Sequence, residues 1–179
     1  MKYRTTLIFF LINVIIHIIV NSLTNNDGKI FLDYVRFDSD NPIYTTVTYS
    51  FVHLSNEHLL SNMMVFVLYS SLLEDVLNGR QLTFLYIGGA IGGALLYATF
   101  CSQYVGLVGA SAACFSFVAA SMILKFKPIL FVITLFFLYK EVFALIVYPL
   151  EIIPTQVSHL GGFIFGIFFA TVIKIEKHD

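Results

Sequence analysis

Apolar stretches of membrane-spanning length recur along this chain, near residues 5–23, 57–74, 82–101, 109–124, 129–148 and 158–173, each bounded by charges, proline or polar clusters. A segment left in hydrocarbon must satisfy every backbone N–H and C=O internally, which restricts it to a helix or a closed barrel. These stretches are continuously apolar rather than alternating, so helices are expected. About 20 residues cross a hydrocarbon core of about 30 Å, and the chain of 179 residues accommodates roughly six such spans with short connections. Composition agrees, since 58% hydrophobic and only 12% charged residues exclude a soluble globule. The expected fold class is all-α, a polytopic membrane bundle of six helices forming one domain over residues 1–179.

Charge sets the orientation. Lys2, Arg4, Arg80, Lys125, Lys127, Lys174 and Lys177 fall on one side of a six-span drawing, and only Lys29 and Arg36 on the other. The basic side is predicted to be cytoplasmic, with both termini inside. The first span follows Lys2 and Arg4 as a signal peptide would, but no small-residue cleavage site follows it, so it is read as a retained helix. Residues 24–56 form the one long loop, on the outer side, and are expected to fold back onto the membrane surface. The net charge of -1 without a basic run excludes nucleic acid as a partner. Cys101 and Cys114 stand in apolar surroundings and read as small buried hydrophobes, so neither a disulfide nor a metal site is expected.

Spans two, four and six all run from the outer surface inward, and each carries a polar motif near its start: His58 with Asn62, Gly109 to Ala112 around Ser111, and His159 with Gly162 and Gly166. At 1.5 Å per residue, Ser111 lies about 21 Å above Lys125 and His159 about 22 Å above Lys174, while Asn62 lies about 18 Å above Glu74. Three motifs therefore share one depth, on the order of 10 Å below the outer face. Serine becomes a nucleophile when a base takes its proton, and histidine titrates near neutrality. Ser111 and His159 form the natural pair. Gly109 and Ala112 keep the backbone around the serine open, and the small stripe of Gly162 and Gly166 lets two membrane helices approach closely. His58 and Asn62, four residues apart, share one helix face from which both could donate to an oxyanion, with the Ser111 backbone N–H as a third donor. No acid adjoins His159, so a dyad is the simpler reading.

This set of residues resembles the rhomboid intramembrane serine proteases, whose marks are an HxxxN pair on the second core helix, GxSx on the fourth and an AHxxGxxxG-like run on the sixth. His53 matches a further histidine frequent in that family, and Glu74 a position that ties the helices together. The chain departs from the pattern at Ala112, where glycine is usual; at Phe115, where a tyrosine stacks beside the histidine; at Ser158, where alanine is usual; and at Tyr44-Thr45, in place of a Trp-Arg pair. The resemblance covers roughly residues 5–175. It implies hydrolysis of a peptide bond in or next to the transmembrane segment of another membrane protein, without metal or organic cofactor. It also implies a hydrophilic cavity open to the outer side, lateral substrate entry near spans two and five, and a small core of the kind found in prokaryotic inner membranes.

Other readings stand beside this one. A catalytically silent relative that escorts membrane proteins would commonly have lost the dyad, which is intact here. A transporter would be expected to show internal repeats, and none is visible. His17 has no motif around it and reads as a local hydrogen-bonding residue, while Glu57 reads as interfacial and solvated. Gly88-Gly89 and Gly92-Gly93 repeat at four residues within an apolar helix, which points to close packing rather than a phosphate loop. Lys140 and Glu141, about 20 Å along span five from Lys127, read either as a lysine that snorkels outward beside an acid turned to the polar cavity or as residues that help span five gate the substrate. If K140L and E141Q left cleavage rate and substrate preference unchanged, that role would be abandoned. Oligomeric state and natural substrate leave no trace in the sequence.

Overall fold

The computed structural model describes residues 3–23, 25–38, 40–101, 106–147 and 154–176, and their regular structure is helical. Helix α1 (Arg4–Ser22) leads into the long loop, which is itself structured as α2 (Asn25–Val35), the short α3 (Thr45–Thr48) and one 3-10 turn, Tyr49–Phe51. Then follow α4 (Asn56–Leu73), α5 (Gly79–Phe100), α6 (Ser111–Leu124), α7 (Pro128–Val147) and α8 (Pro154–Glu176).

Local chemistry sets the starts of four of the long helices. Ser55 caps α4, its hydroxyl accepting the His58 N–H at 3.2 Å. Asn78 and Gln81 form a reciprocal capping box on α5, with bonds of 2.9 and 3.0 Å. Pro128 and Pro154 occupy first positions, where a missing N–H costs nothing. Helix α6, like α1 and α3, has no side-chain cap, and it begins at Ser111 itself.

Among the described residues, three helices are long and apolar enough to cross a membrane: Arg4–Ser22, Gly79–Phe100 and Thr155–Glu176. Helices α4 and α6 do not meet that measure. The expected span from residue 109 is shortened, because α6 has 14 residues and rises about 21 Å, well short of a core of about 30 Å. The loop before it must therefore descend below the surface. Helix α4 has 18 residues but carries Asn56, Glu57, His58, Ser61 and Asn62 in its first two turns, which lower its hydropathy.

Helix α8 is wedged between α5 and α6. Backbone meets backbone at Gly92 and Gly161, where a Cβ on Gly92 would lie 2.9 Å from the Gly161 carbonyl oxygen. On the other side of α8, a Cβ on Gly162 would run into the Ala112 carbonyl, and one on Gly166 into that of Ser116. Helix α1 is held by polar bonds. The Thr6 N–H donates to Glu74 Oε1 at 2.7 Å, the Thr6 and Ser70 hydroxyls pair at 2.7 Å, and Asn13 Nδ2 donates to the Tyr86 hydroxyl at 3.2 Å. Phe66, Tyr69, Leu85 and Phe117 fill the core between α4, α5 and α6. Lys125 pairs with Asp75 at 3.3 Å, joining the ends of α4 and α6. With the Thr6 to Glu74 bond, this gathers Arg4, Arg80, Lys125 and Lys127 at one end of the bundle.

Candidate active site

The turn into α6 is the centre of the site. Gly109 has φ of 110°, a conformation that costs glycine nothing and other residues a good deal. A Cβ there would also lie 2.6 Å from both Cε1 and Nε2 of His58 and 3.4 Å from Nδ2 of Asn62. The glycine thus lets the backbone two residues before Ser111 lie directly against the His58 and Asn62 side chains. Ser111 is the first residue of α6, and the leading amides of a helix have no partner within it.

His159 approaches from α8. Its ring stacks on Phe115, one turn beyond Ser111, with centroids 4.5 Å apart and planes 12° from parallel. Gly162, one turn beyond His159, seats against the carbonyl of Ala112, the residue after the serine. Histidine and serine thus occupy facing turns of two helices in backbone contact. The absent tyrosine hydroxyl at position 115 leaves the stacking intact. Asn62 is 7% exposed, and its Nδ2 has no hydrogen-bond partner among the described residues. A buried donor left unmet costs about 1–3 kcal/mol, and this one lies beside the turn that carries the serine.

Residues 40–175 match the family model of the Rhomboid domain. The chain belongs to the rhomboid family. No curated protein matches the sequence. The chain is an integral membrane protein, and its rhomboid domain takes in every side chain of the site, whereas α1 precedes the matched residues yet packs on them through Thr6 and Asn13.

How the rhomboid domain holds the serine turn is not visible in its motifs. Three points of the long loop pin it. Phe37 and Leu107 exchange backbone hydrogen bonds of 3.0 and 2.7 Å, the Gly109 N–H donates to the Tyr49 carbonyl at 2.9 Å, and the Ala110 N–H donates to His53 Nε2 at 3.3 Å. Tyr49 is in turn fixed by its hydroxyl, which donates to the Ala90 carbonyl on α5 at 2.8 Å. Aromatic side chains of the loop, Phe37 and Tyr49, are buried in one cluster with Tyr97 of α5. At the position of the family's Trp-Arg pair, Thr45 is buried and bonds locally, its hydroxyl donating to the Pro42 carbonyl at 2.7 Å.

His53 must be neutral at Nε2 to accept the Ala110 amide, so its proton sits on Nδ1. Burial, reinforced by the neighbouring His58 and His17, pushes its pKa down to about 3. The His53 and His58 rings lie 5.1 Å apart, edge to face. His17 does more than bond locally: Nε2 lies 2.9 Å from Asn21 Nδ2 and also 2.9 Å from Asn56 Oδ1 at the start of α4, and its ring stands 6.4 Å from that of His53. Glu57 is exposed, as expected. The side chains of Lys140 and Glu141 lie outside the described residues. Among the described residues no cluster of ligating side chains could hold a metal.

Proposed function

We propose that the chain is an intramembrane serine endopeptidase that cleaves peptide bonds in or near transmembrane segments of other membrane proteins. Ser111 Oγ attacks the scissile carbonyl carbon while His159 takes its proton. His58, Asn62 and the Ser111 N–H stabilise the oxyanion. His159 then gives its proton to the leaving amine, and water, deprotonated by the same histidine, releases the acyl group and restores the serine. Gly109 and His53 hold the turn, Phe115 fixes the His159 ring by stacking, and Gly162 and Gly166 set the helix spacing. No cofactor takes part. A substrate helix must unwind first, since its carbonyls are already hydrogen-bonded.

The observation that carries this reading is the unmatched buried donor of Asn62 beside the serine turn. Losing one oxyanion donor costs a hydrolase about 10²–10³ in turnover. The six-span topology as one domain, with both termini cytoplasmic in a prokaryotic inner membrane, belongs to the same proposal and is supported by the basic residues gathered at one end. The test is labelling of the detergent-solubilised protein with a fluorophosphonate probe, mapped by peptide. Labelling at Ser111 that disappears in S111A is expected. A folded, monodisperse protein that does not label would transfer the argument to an escort role.

A further inference from the structure

A groove of about 1130 Å³ runs between α1 and α5 at the basic end of the bundle, away from the serine. It exceeds the roughly 300–1,000 Å³ of a small-molecule site and lies open rather than enclosed. Its lining is of two kinds. Arg4 and Arg80 both line it and both are exposed. Neither forms an ion pair among the described residues. They are brought together because α1 and α5 touch at their starts, where a Cβ on Gly79 would lie 2.9 Å from Thr5 Oγ1. The rest of the lining is largely apolar, with Ile8 44% and Phe84 58% exposed. The one carboxylate in the lining, Glu74, is half-buried and already accepts the Thr6 N–H, so two guanidiniums stand against one engaged acid.

We propose that this groove binds an anionic phospholipid, its phosphate held between Arg4 and Arg80 and one acyl chain laid along Ile8 and Phe84. The charge pattern selects that occupant. A zwitterionic lipid would bring a cation to two arginines, and an uncharged apolar ligand would leave them without a partner. Guanidinium is suited to phosphate because its planar fork can donate two parallel bonds. A basic pocket between membrane helices at the cytoplasmic face is a recurring headgroup site, and this one would fasten α1, which lies outside the matched rhomboid residues, to the body of the domain.

Native mass spectrometry of the full chain in neutral detergent tests this, with phosphatidylglycerol and phosphatidylcholine of the same acyl chains and inorganic phosphate as a third arm. Binding is read as mass, so the outcome does not depend on the peptidase reading. Phosphatidylglycerol is expected to bind well above phosphatidylcholine, with no adduct from phosphate alone. At the usual worth of a basic residue near an anionic lipid, R4Q/R80Q should weaken phosphatidylglycerol binding roughly 30-fold. T83W, which fills the exposed lining while keeping both arginines, should weaken it too, and K127Q should not. Equal binding of the two lipids, an R4Q/R80Q response like that of the wild type, or loss in K127Q as large as in R4Q/R80Q would overturn the proposal. Adducts of inorganic phosphate at the strength of the lipid would overturn the lipid as the occupant.

Discussion

Helices α7 and α8 are alike in sequence terms, 20 and 23 residues long and strongly apolar, yet they are held in opposite ways. Helix α8 is locked on two sides by glycine contacts that bring its backbone against those of α5 and α6. Helix α7, where described, exposes Ile129 69%, Phe136 62% and Tyr139 63%, and is joined to α4 through a hydrogen bond of 2.9 Å between Thr134 and the Tyr69 hydroxyl. Within a bilayer apolar surface gains nothing by leaving lipid, so close packing and polar bonds decide which helices stay together. The helix that carries His159 is fixed by shape, whereas the described part of α7 turns large apolar side chains outward and, under the proposed function, is the candidate for displacement by a substrate.

The largest test of that contrast is Gly162→Val. Its added carbons meet the Ala112 backbone, which cannot move aside, so a destabilisation on the order of 3 kcal/mol is expected, with loss of fluorophosphonate labelling. Phe136→Ala on α7 should leave both within experimental scatter, and equal effects of the two would erase the distinction. Next in size is Asn62→Ala, for which turnover of a transmembrane substrate should fall about 10²–10³ with the melting temperature little changed. A fall in stability alone would make Asn62 a packing residue.

The pinned loop should reveal itself through pH. His53 is held neutral in the fold, whereas an unfolded histidine titrates near 6.5, so the unfolded state binds the extra proton between those values. Stability contributed by neutral His53 is complete above about 6.5 and is lost as pH falls toward about 3. Thermal melts in detergent across that window should show the loss, and H53Q, which can still accept the Ala110 N–H but does not titrate, should flatten it. The smallest effect belongs to the α7 latch: Tyr69→Phe removes one membrane hydrogen bond worth about 0.6 kcal/mol and should raise the cleavage rate of a bulky substrate about threefold. An unchanged rate would mean that α7 does not limit entry.

Much of the fold could be read because a bilayer admits few backbone arrangements, so length and continuity of apolar runs place the helices within a few residues. The close backbone approaches at Gly109 and Gly162 were legible in part, because small residues at short fixed spacing are a local pattern. The shortened α6 could not be read so directly, because hydropathy does not mark where a loop ends and a helix begins below the surface. The fixing of the Ser111 turn was hidden for another reason. It rests on the Phe37, Tyr49 and His53 contacts, each between residues far apart in sequence.

That the chain is helical and lies in a membrane follows from its apolar runs alone. Only the tertiary structure decided that α8 rather than α7 is locked to the core, that α1 joins α4 and α5 through Thr6 and Asn13, and that the long loop carries the turn before Ser111. Depth along a helix follows from counting residues, whereas a helix's neighbours follow from where backbone can touch backbone, and that is settled only when all the helices are present.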